Sequence, residues 1–146
     1  MNSNEQKEFI NLLNQKKSCL ADILQMTKER KFSPVEEDVE RFQNFFDKRE
    51  VLFQRCRVFE NKIKSTNISQ EDKNSLFYKE VEKTISETDK IIKEIIELDK
   101  KNRTIMDQLM ALIKKNLRDM KVSQKINYGY SDFYQGQSYG GFDSQK

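Results

Sequence analysis

The 146 residues of this chain include no histidine, so carboxylates and lysines are the only general acids present in number. Two cysteines are also present. Without histidine there is no Ser-His-Asp or Cys-His catalytic group, no HExxH zinc site and no imidazole base near neutral pH. The sequence also shows no phosphate-binding loop, no metal-ligand cluster and no nucleophile with a partner. We therefore expect a protein that is not an enzyme and uses no cofactor or metal.

The two cysteines, Cys19 and Cys56, lie 37 residues apart and form no CxxC motif. This spacing indicates neither a thioredoxin-like motif nor a disulfide framework. If two antiparallel helices connect near residues 32–34, the two positions are offset by roughly 13 Å along the helix axes, at 1.5 Å per residue. We therefore expect the cysteines not to bond, and we expect a reducing compartment.

No stretch of the sequence is apolar enough to insert into a membrane. The longest unbroken apolar run covers residues 109–113, whereas a membrane span needs roughly 20 apolar residues. The first residues also lack the apolar region of a secretory signal. These features predict a cytoplasmic protein without membrane insertion.

Charge is nearly balanced overall, with 27 Lys and Arg against 24 Asp and Glu, but its sign changes along the chain. Residues 70–99 hold five basic and nine acidic side chains, whereas residues 100–125 hold eight basic and two acidic ones. This order matches the dipole of one long helix, and a functional basic patch is the alternative. Because a nucleic-acid binder usually concentrates positive charge without such acidic compensation, we expect no nucleic-acid partner.

The composition changes sharply near Ile126. All four glycines and four of the five tyrosines lie beyond that residue, whereas residues 1–125 contain no glycine and only one proline, Pro34. A sheet protein of this size would need repeated turn signals. We therefore expect an all-α chain, with a helical bundle over residues 1–125 and a flexible aromatic and glycine-rich tail over residues 126–146.

Apolar residues recur every three or four positions in three segments, a spacing typical of amphipathic helices. Ser33, Pro34 and Glu36 form a capping-box pattern for the second helix, and Ser69 is a plausible cap for the third. The helices are predicted near residues 4–31, 34–64 and 70–124. The expected architecture is an antiparallel three-helix bundle or coiled coil with a long third helix.

Three polar residues lie on the apolar faces of the predicted helices. Arg49 could pair with a buried carboxylate, for which counting levels across the turn favours Asp89, although an arginine at such a position more often extends to solvent. Asp99 and Asn102 could form a polar layer that fixes the helix register, or they could mark the end of the bundle. The helix lengths favour the end of the bundle.

The third helix is too long for its neighbours, at about 75 Å against about 45 Å for the second, using 1.5 Å per residue. Beyond about residue 100 it should have only the first helix, or nothing, beside it. The apolar residues left there are candidate partner-binding residues, and three of them are flexible methionines. They are Ile105, Met106, Leu109, Met110, Leu112, Ile113, Leu117 and Met120. The alternatives are a break between Asp99 and Arg103 that folds this segment back, or a homodimer that covers it.

Several stretches resemble flagellar type III export chaperones of the FlgN and FliT type. They are Leu12-Leu13, Cys19-Leu20, residues 46–52 (FDKREVL), residues 95–102 (IIELDKKN), residues 125–130 (KINYGY) and residues 138–143 (SYGGFD). The resemblance is one of arrangement and covers most of the chain. It implies a small cytoplasmic helical protein without catalytic activity.

The resemblance also implies two protein partners. One is a client, a hook-associated or filament-cap subunit whose apolar helical segment would contact the candidate partner-binding residues. The other is a component of the export gate, which Tyr128 and Tyr130 would contact once the client is bound. The alternative is a self-associating structural coiled coil or adaptor without a client. A single-strand binder using residues 100–125 and the aromatic tail is a further, less favoured possibility.

Overall fold

The computed structural model describes residues 1–116, which form three packed helices. They are α1 (Ser3–Glu29), α2 (Val39–Lys64) and α3 (Leu76–Asn116), with a single 3-10 turn at Glu36–Asp38 before α2. The described residues contain no strand, so the all-α, three-helix prediction is confirmed. The end predicted for the third helix near residue 124, and the tail predicted over residues 126–146, lie outside the described residues.

Helix α1 begins with a complete capping box. The Asn2 side chain accepts a hydrogen bond from the backbone N–H of Glu5 at 2.8 Å, and the Glu5 carboxylate accepts one from the backbone N–H of Asn2 at 2.9 Å. Two donors at the start of the helix are thereby satisfied, which sets its first turn.

Helix α2 does not begin at Pro34, and the capping box predicted from Ser33 and Glu36 is wrong. The Asp38 carboxylate instead accepts a hydrogen bond from the Ser33 backbone N–H at 2.6 Å. Arg41 donates to the Lys31 carbonyl at 2.8 Å. These contacts hold residues 30–38 as a connection, and α2 starts at Val39.

Helix α3 begins at Leu76 rather than near residue 70, so the cap predicted at Ser69 is also wrong. Ser75 takes that role, because its hydroxyl accepts a hydrogen bond from the Tyr78 backbone N–H at 3.1 Å. In the preceding connection, the Asn67 and Asp72 side chains each accept from a backbone N–H two residues onward. Such local bonds compete with helix formation and extend the connection to residue 75.

Helix α1 lies at the centre of the packing, because it contacts both other helices extensively while α2 and α3 contact each other much less. Antiparallel α1 and α2 are connected by residues 30–38, and α3 returns parallel to α1. Three apolar clusters follow one another along the bundle, centred on Phe9 and Phe77, on Ile23 and Ile92, and on Phe42 and Leu109. Within residues 1–116, no helix has the length and apolar character needed to cross a membrane.

Candidate partner-binding site

The apolar part of α3 beyond residue 100 is partly covered by α2, which corrects the sequence prediction. Leu109 and Ile113 are 0% and 1% exposed and pack against the N-terminal turns of α2, including Val39 and Phe42. The prediction failed because α3 starts later than expected, which brings these two residues level with the beginning of α2. They therefore belong to the core.

The other candidate residues on this part of α3 are only half-buried. Ile105, Met106, Met110 and Leu112 pack at the edge of the cluster that contains Leu109. Leu117 and Met120, together with Tyr128 and Tyr130, lie outside the described residues. Within residues 1–116, the candidate partner-binding residues thus separate into two core residues and four edge residues.

Salt bridges identify the edge of α3 that faces α1. Lys17 and Lys28 of α1 lie 3.2 Å and 3.4 Å from the carboxylates of Glu87 and Glu94. Four residues beyond each of these glutamates, one helical turn onward, stand Ile91 and Leu98, and the same seven-residue spacing continues to Ile105 and Leu112. All four are half-buried. This row, Ile91, Leu98, Ile105 and Leu112, is called the α1-facing edge below.

The α1-facing edge extends beyond the C-terminal end of α1. Helix α1 ends at Glu29, while α3 continues to Asn116. Phe32, in the connection that follows α1, partly fills the space, with its ring centre 5.4 Å from that of Phe42 and 5.3 Å from that of Phe45. Ile105 and Leu112 therefore lie on a two-helix end of the bundle, where the connecting segment only partly fills the position that a longer α1 would occupy.

A small cleft opens at this end, with a volume of about 30 Å³. It contains residues of all three helices and of the connection after α1. Its lining includes Thr27, Arg30, Phe32, Phe42, Phe45, Arg49, Asp99, Asn102, Ile105 and Met106. Two predicted partner-binding residues, Ile105 and Met106, are therefore part of the cleft wall.

The floor of the cleft is a buried ion pair between Arg49 and Asp99. Two hydrogen bonds of 3.0 Å and 2.9 Å join the guanidinium of Arg49 to both carboxylate oxygens of Asp99, and the Thr27 hydroxyl lies 3.4 Å from the same guanidinium. The rings of Phe45 and Phe53 face it at 5.4 Å and 5.2 Å. Such a bidentate pair between aromatic rings is strong and strict in its geometry.

This layer corrects two sequence interpretations. Arg49 pairs with Asp99 and not with Asp89, because the late start of α3 shifts every α3 residue relative to α2. Asp99 does not mark the end of the bundle. It is buried, and with Thr27 and Arg49 it forms a polar layer with one side chain from each helix. A layer of this kind fixes the register in which helices pack.

A second buried ion pair lies near the other end of the bundle, where Lys16 of α1 donates to Glu60 of α2. In the sequence, Lys16 and Lys17 are a polar interruption of the apolar face of helix one. In the structure Lys16 is buried, while Lys17 extends to Glu87. The sequence feature that could have revealed this buried pair is the position of Glu60, which lies three residues before the core residue Ile63.

The two cysteines meet, contrary to the expected axial offset. Both are free and buried, and the Cys19 thiol donates to the Leu52 carbonyl at 3.2 Å. A side-chain hydrogen bond with Cys56 lowers the pKa of the Cys19 thiol, and the same bond together with burial raises that of Cys56. The offset was overestimated because the connection reaches residue 38, which moves α2 relative to α1.

The two-helix end of the bundle with its cleft, called the open end below, can hold apolar side chains next to positive charge. The cleft offers Phe32, Ile105 and Met106, while Arg30 lines it and Lys101 lies exposed beside the α1-facing edge, one turn before Ile105. Within residues 1–116, no group of three or more His, Cys, Asp or Glu side chains could hold a metal ion.

The sequence matches no protein-family model, and no curated protein or solved structure is significantly similar to it.

Proposed function

We propose that the protein is a cytoplasmic export chaperone that binds an apolar helical segment of a client at the open end of the bundle. The observation that carries this proposal is the α1-facing edge, where Ile105 and Leu112 continue beyond the last residue of α1. A helix placed there would extend the line of α1 and complete the three-helix packing. Recognition of this type uses apolar anchors spaced along one face of the bound helix.

The composition of the open end indicates which helix would fit. Met106, which lines the cleft, is flexible and adapts to different apolar side chains. Arg30 and Lys101 favour a client helix with acidic residues beside its apolar face, because complementary charges orient an encounter. The resemblance to chaperones of the FlgN and FliT type supports a hook-associated or filament-cap subunit as the client, delivered to the export gate.

Replacing Ile105 and Leu112 together by glutamate should weaken client binding by at least about tenfold, or about 1.4 kcal/mol. Two apolar contacts would be lost, and acidic charges would face an acidic helix. Both residues are half-buried, so helical content should be retained. Isothermal titration calorimetry against each hook-associated and filament-cap subunit of the same genome measures the effect.

The matched control is Val51→Glu with Val58→Glu, which places two glutamates seven residues apart on the exposed face of α2. This variant should bind the client like the unmodified chain. The chaperone proposal fails if none of these subunits binds the unmodified protein, and the site assignment fails if both double variants bind equally well.

A self-associating adaptor is the second candidate, and the charge order of α3 favours it. Antiparallel pairing of α3 between two copies would bring the basic residues after Asp99 against the acidic residues before it. Light scattering after size-exclusion chromatography decides between the two functions. A dimer at low micromolar concentration that the Ile105→Glu, Leu112→Glu variant converts to a monomer would favour the adaptor.

Tyr128 and Tyr130, outside the described residues, remain the proposed contact with the export gate. Changing both to alanine should leave client affinity within a few fold, because the proposed client contacts are Ile105 and Leu112, but should weaken docking of the loaded complex to an isolated gate domain. Surface plasmon resonance with immobilised gate domain measures this. A variant with Tyr134 and Tyr139 changed to alanine is the control, and equal docking by all three proteins would exclude the role.

A further inference from the structure

Cys19 and Cys56 belong to one apolar cluster at the interface of α1 and α2. Cys56 has no exposed surface and Cys19 is 5% exposed. The two residues come from different helices, so a bond between them would join α1 covalently to α2.

Backbone geometry places the two sulfurs at the same level of the bundle. The Cys19 thiol lies 3.2 Å from the Leu52 carbonyl oxygen. In an α-helix that carbonyl accepts the backbone N–H four residues later, which here belongs to Cys56. The Cys19 sulfur therefore lies beside the helical turn that carries Cys56, and the two thiols share a hydrogen bond.

We propose that Cys19 and Cys56 are an oxidation site, at which a small disulfide such as oxidised glutathione converts the two thiols into an intramolecular disulfide. The Cys19 thiolate attacks one glutathione sulfur, the glutathione disulfide breaks, and one glutathione leaves and takes up a proton. Cys56 then loses its proton and attacks the Cys19 sulfur of the mixed disulfide, the bond between Cys19 and glutathione breaks, and the second glutathione leaves and takes up a proton. Two electrons pass from the protein thiols to the oxidant.

The environments of the two thiols support this order of attack. Cys19 is 5% exposed whereas Cys56 has no exposed surface, so a smaller opening brings Cys19 to the oxidant, where its thiolate is the attacking species. Cys56 is more deeply buried and acts second, when its partner already carries the leaving group. Access to both thiols requires a local opening of α1 from α2, which sets the rate of the reaction but not its equilibrium.

The test measures the equilibrium constant for disulfide formation in glutathione buffers, using the full chain in its folded state and in concentrated guanidinium chloride. Each mixture is approached from the reduced and from the oxidised protein, so that slow access to Cys56 cannot hide the equilibrium. Acid quenching, alkylation and mass spectrometry count the free thiols. We expect the constant to be at least about tenfold larger in the folded chain, equivalent to about 1.4 kcal/mol.

By linkage, the oxidised chain should then unfold at a higher temperature than the reduced chain. Cys56→Ser should stop at a mixed disulfide between Cys19 and glutathione, which identifies the first thiol to react. An equal or smaller constant in the folded chain would overturn the proposal, because the native packing would then not favour the bond. Cross-linking mainly between molecules in the folded state would overturn it too.

Discussion

Replacing Asp99 by alanine is expected to lower the free energy of unfolding by about 3–5 kcal/mol, because it leaves a buried guanidinium without its carboxylate. Arg49 is 2% exposed and lies between the rings of Phe45 and Phe53. Because so little of its surface is exposed, hydration can compensate for the lost carboxylate only in part. Denaturant unfolding followed by far-ultraviolet circular dichroism measures the loss.

Two further variants separate the buried pair from charge in general. Asp107→Ala removes the partner of Arg103 in an exposed pair with a nitrogen-to-oxygen distance of 3.8 Å, and its effect should stay within about 1 kcal/mol. Arg49→Met combined with Asp99→Leu replaces both charges and should recover most of the stability lost in Asp99→Ala. A loss below about 1 kcal/mol for Asp99→Ala would contradict the burial of the pair.

Changing Leu109 and Ile113 together to glutamate is expected to abolish the cooperative fold. Truncating one such core residue to alanine alone costs about 2–5 kcal/mol, and each glutamate adds the cost of an unpaired buried charge. The total is comparable with the whole stability of a typical domain, about 5–15 kcal/mol. Thermal unfolding should show no cooperative transition, and near-ultraviolet signals from the packed phenylalanines should disappear.

Gln108→Glu with Ala111→Glu is the matched control, because it adds two acidic groups at exposed positions of the same turns. Its free energy of unfolding should change by no more than about 0.5 kcal/mol per site. A Leu109→Glu, Ile113→Glu variant that stayed folded and lost only client binding would restore the purely partner-binding role predicted from the sequence.

The helices could be predicted from the sequence because their periodic apolar residues are a local property. Their relative levels could not, because those depend on the two connections. The side chains of Asp38, Asn67 and Asp72 accept hydrogen bonds from backbone N–H groups, and these bonds lengthen the connections beyond what the predicted capping patterns indicate. One cause therefore accounts for two errors at the candidate site: the wrong carboxylate for Arg49 and the exposed position expected for Leu109.

The contact between the two cysteines, at the interface of α1 and α2, was missed for the same reason. The spacing in sequence could not reveal it, because moving α2 by a few residues changes an axial offset by several ångströms at 1.5 Å per residue. Ile105 and Met106 line the cleft, but the overhang beyond α2 that the helix lengths indicated is wrong, because the N-terminal turns of α2 pack beside this part of α3.

The buried arginine also bears on how the chain folds as it leaves the ribosome, where synthesis proceeds from the N-terminus. Helices α1 and α2 emerge first and can already join Lys16 to Glu60, but Arg49 meets its carboxylate only after fifty more residues have been made. Before that point the guanidinium has no carboxylate partner, and the side of it that meets α3 in the folded chain faces water. The polar layer therefore cannot fix the register of α1 and α2 until the last helix has been made.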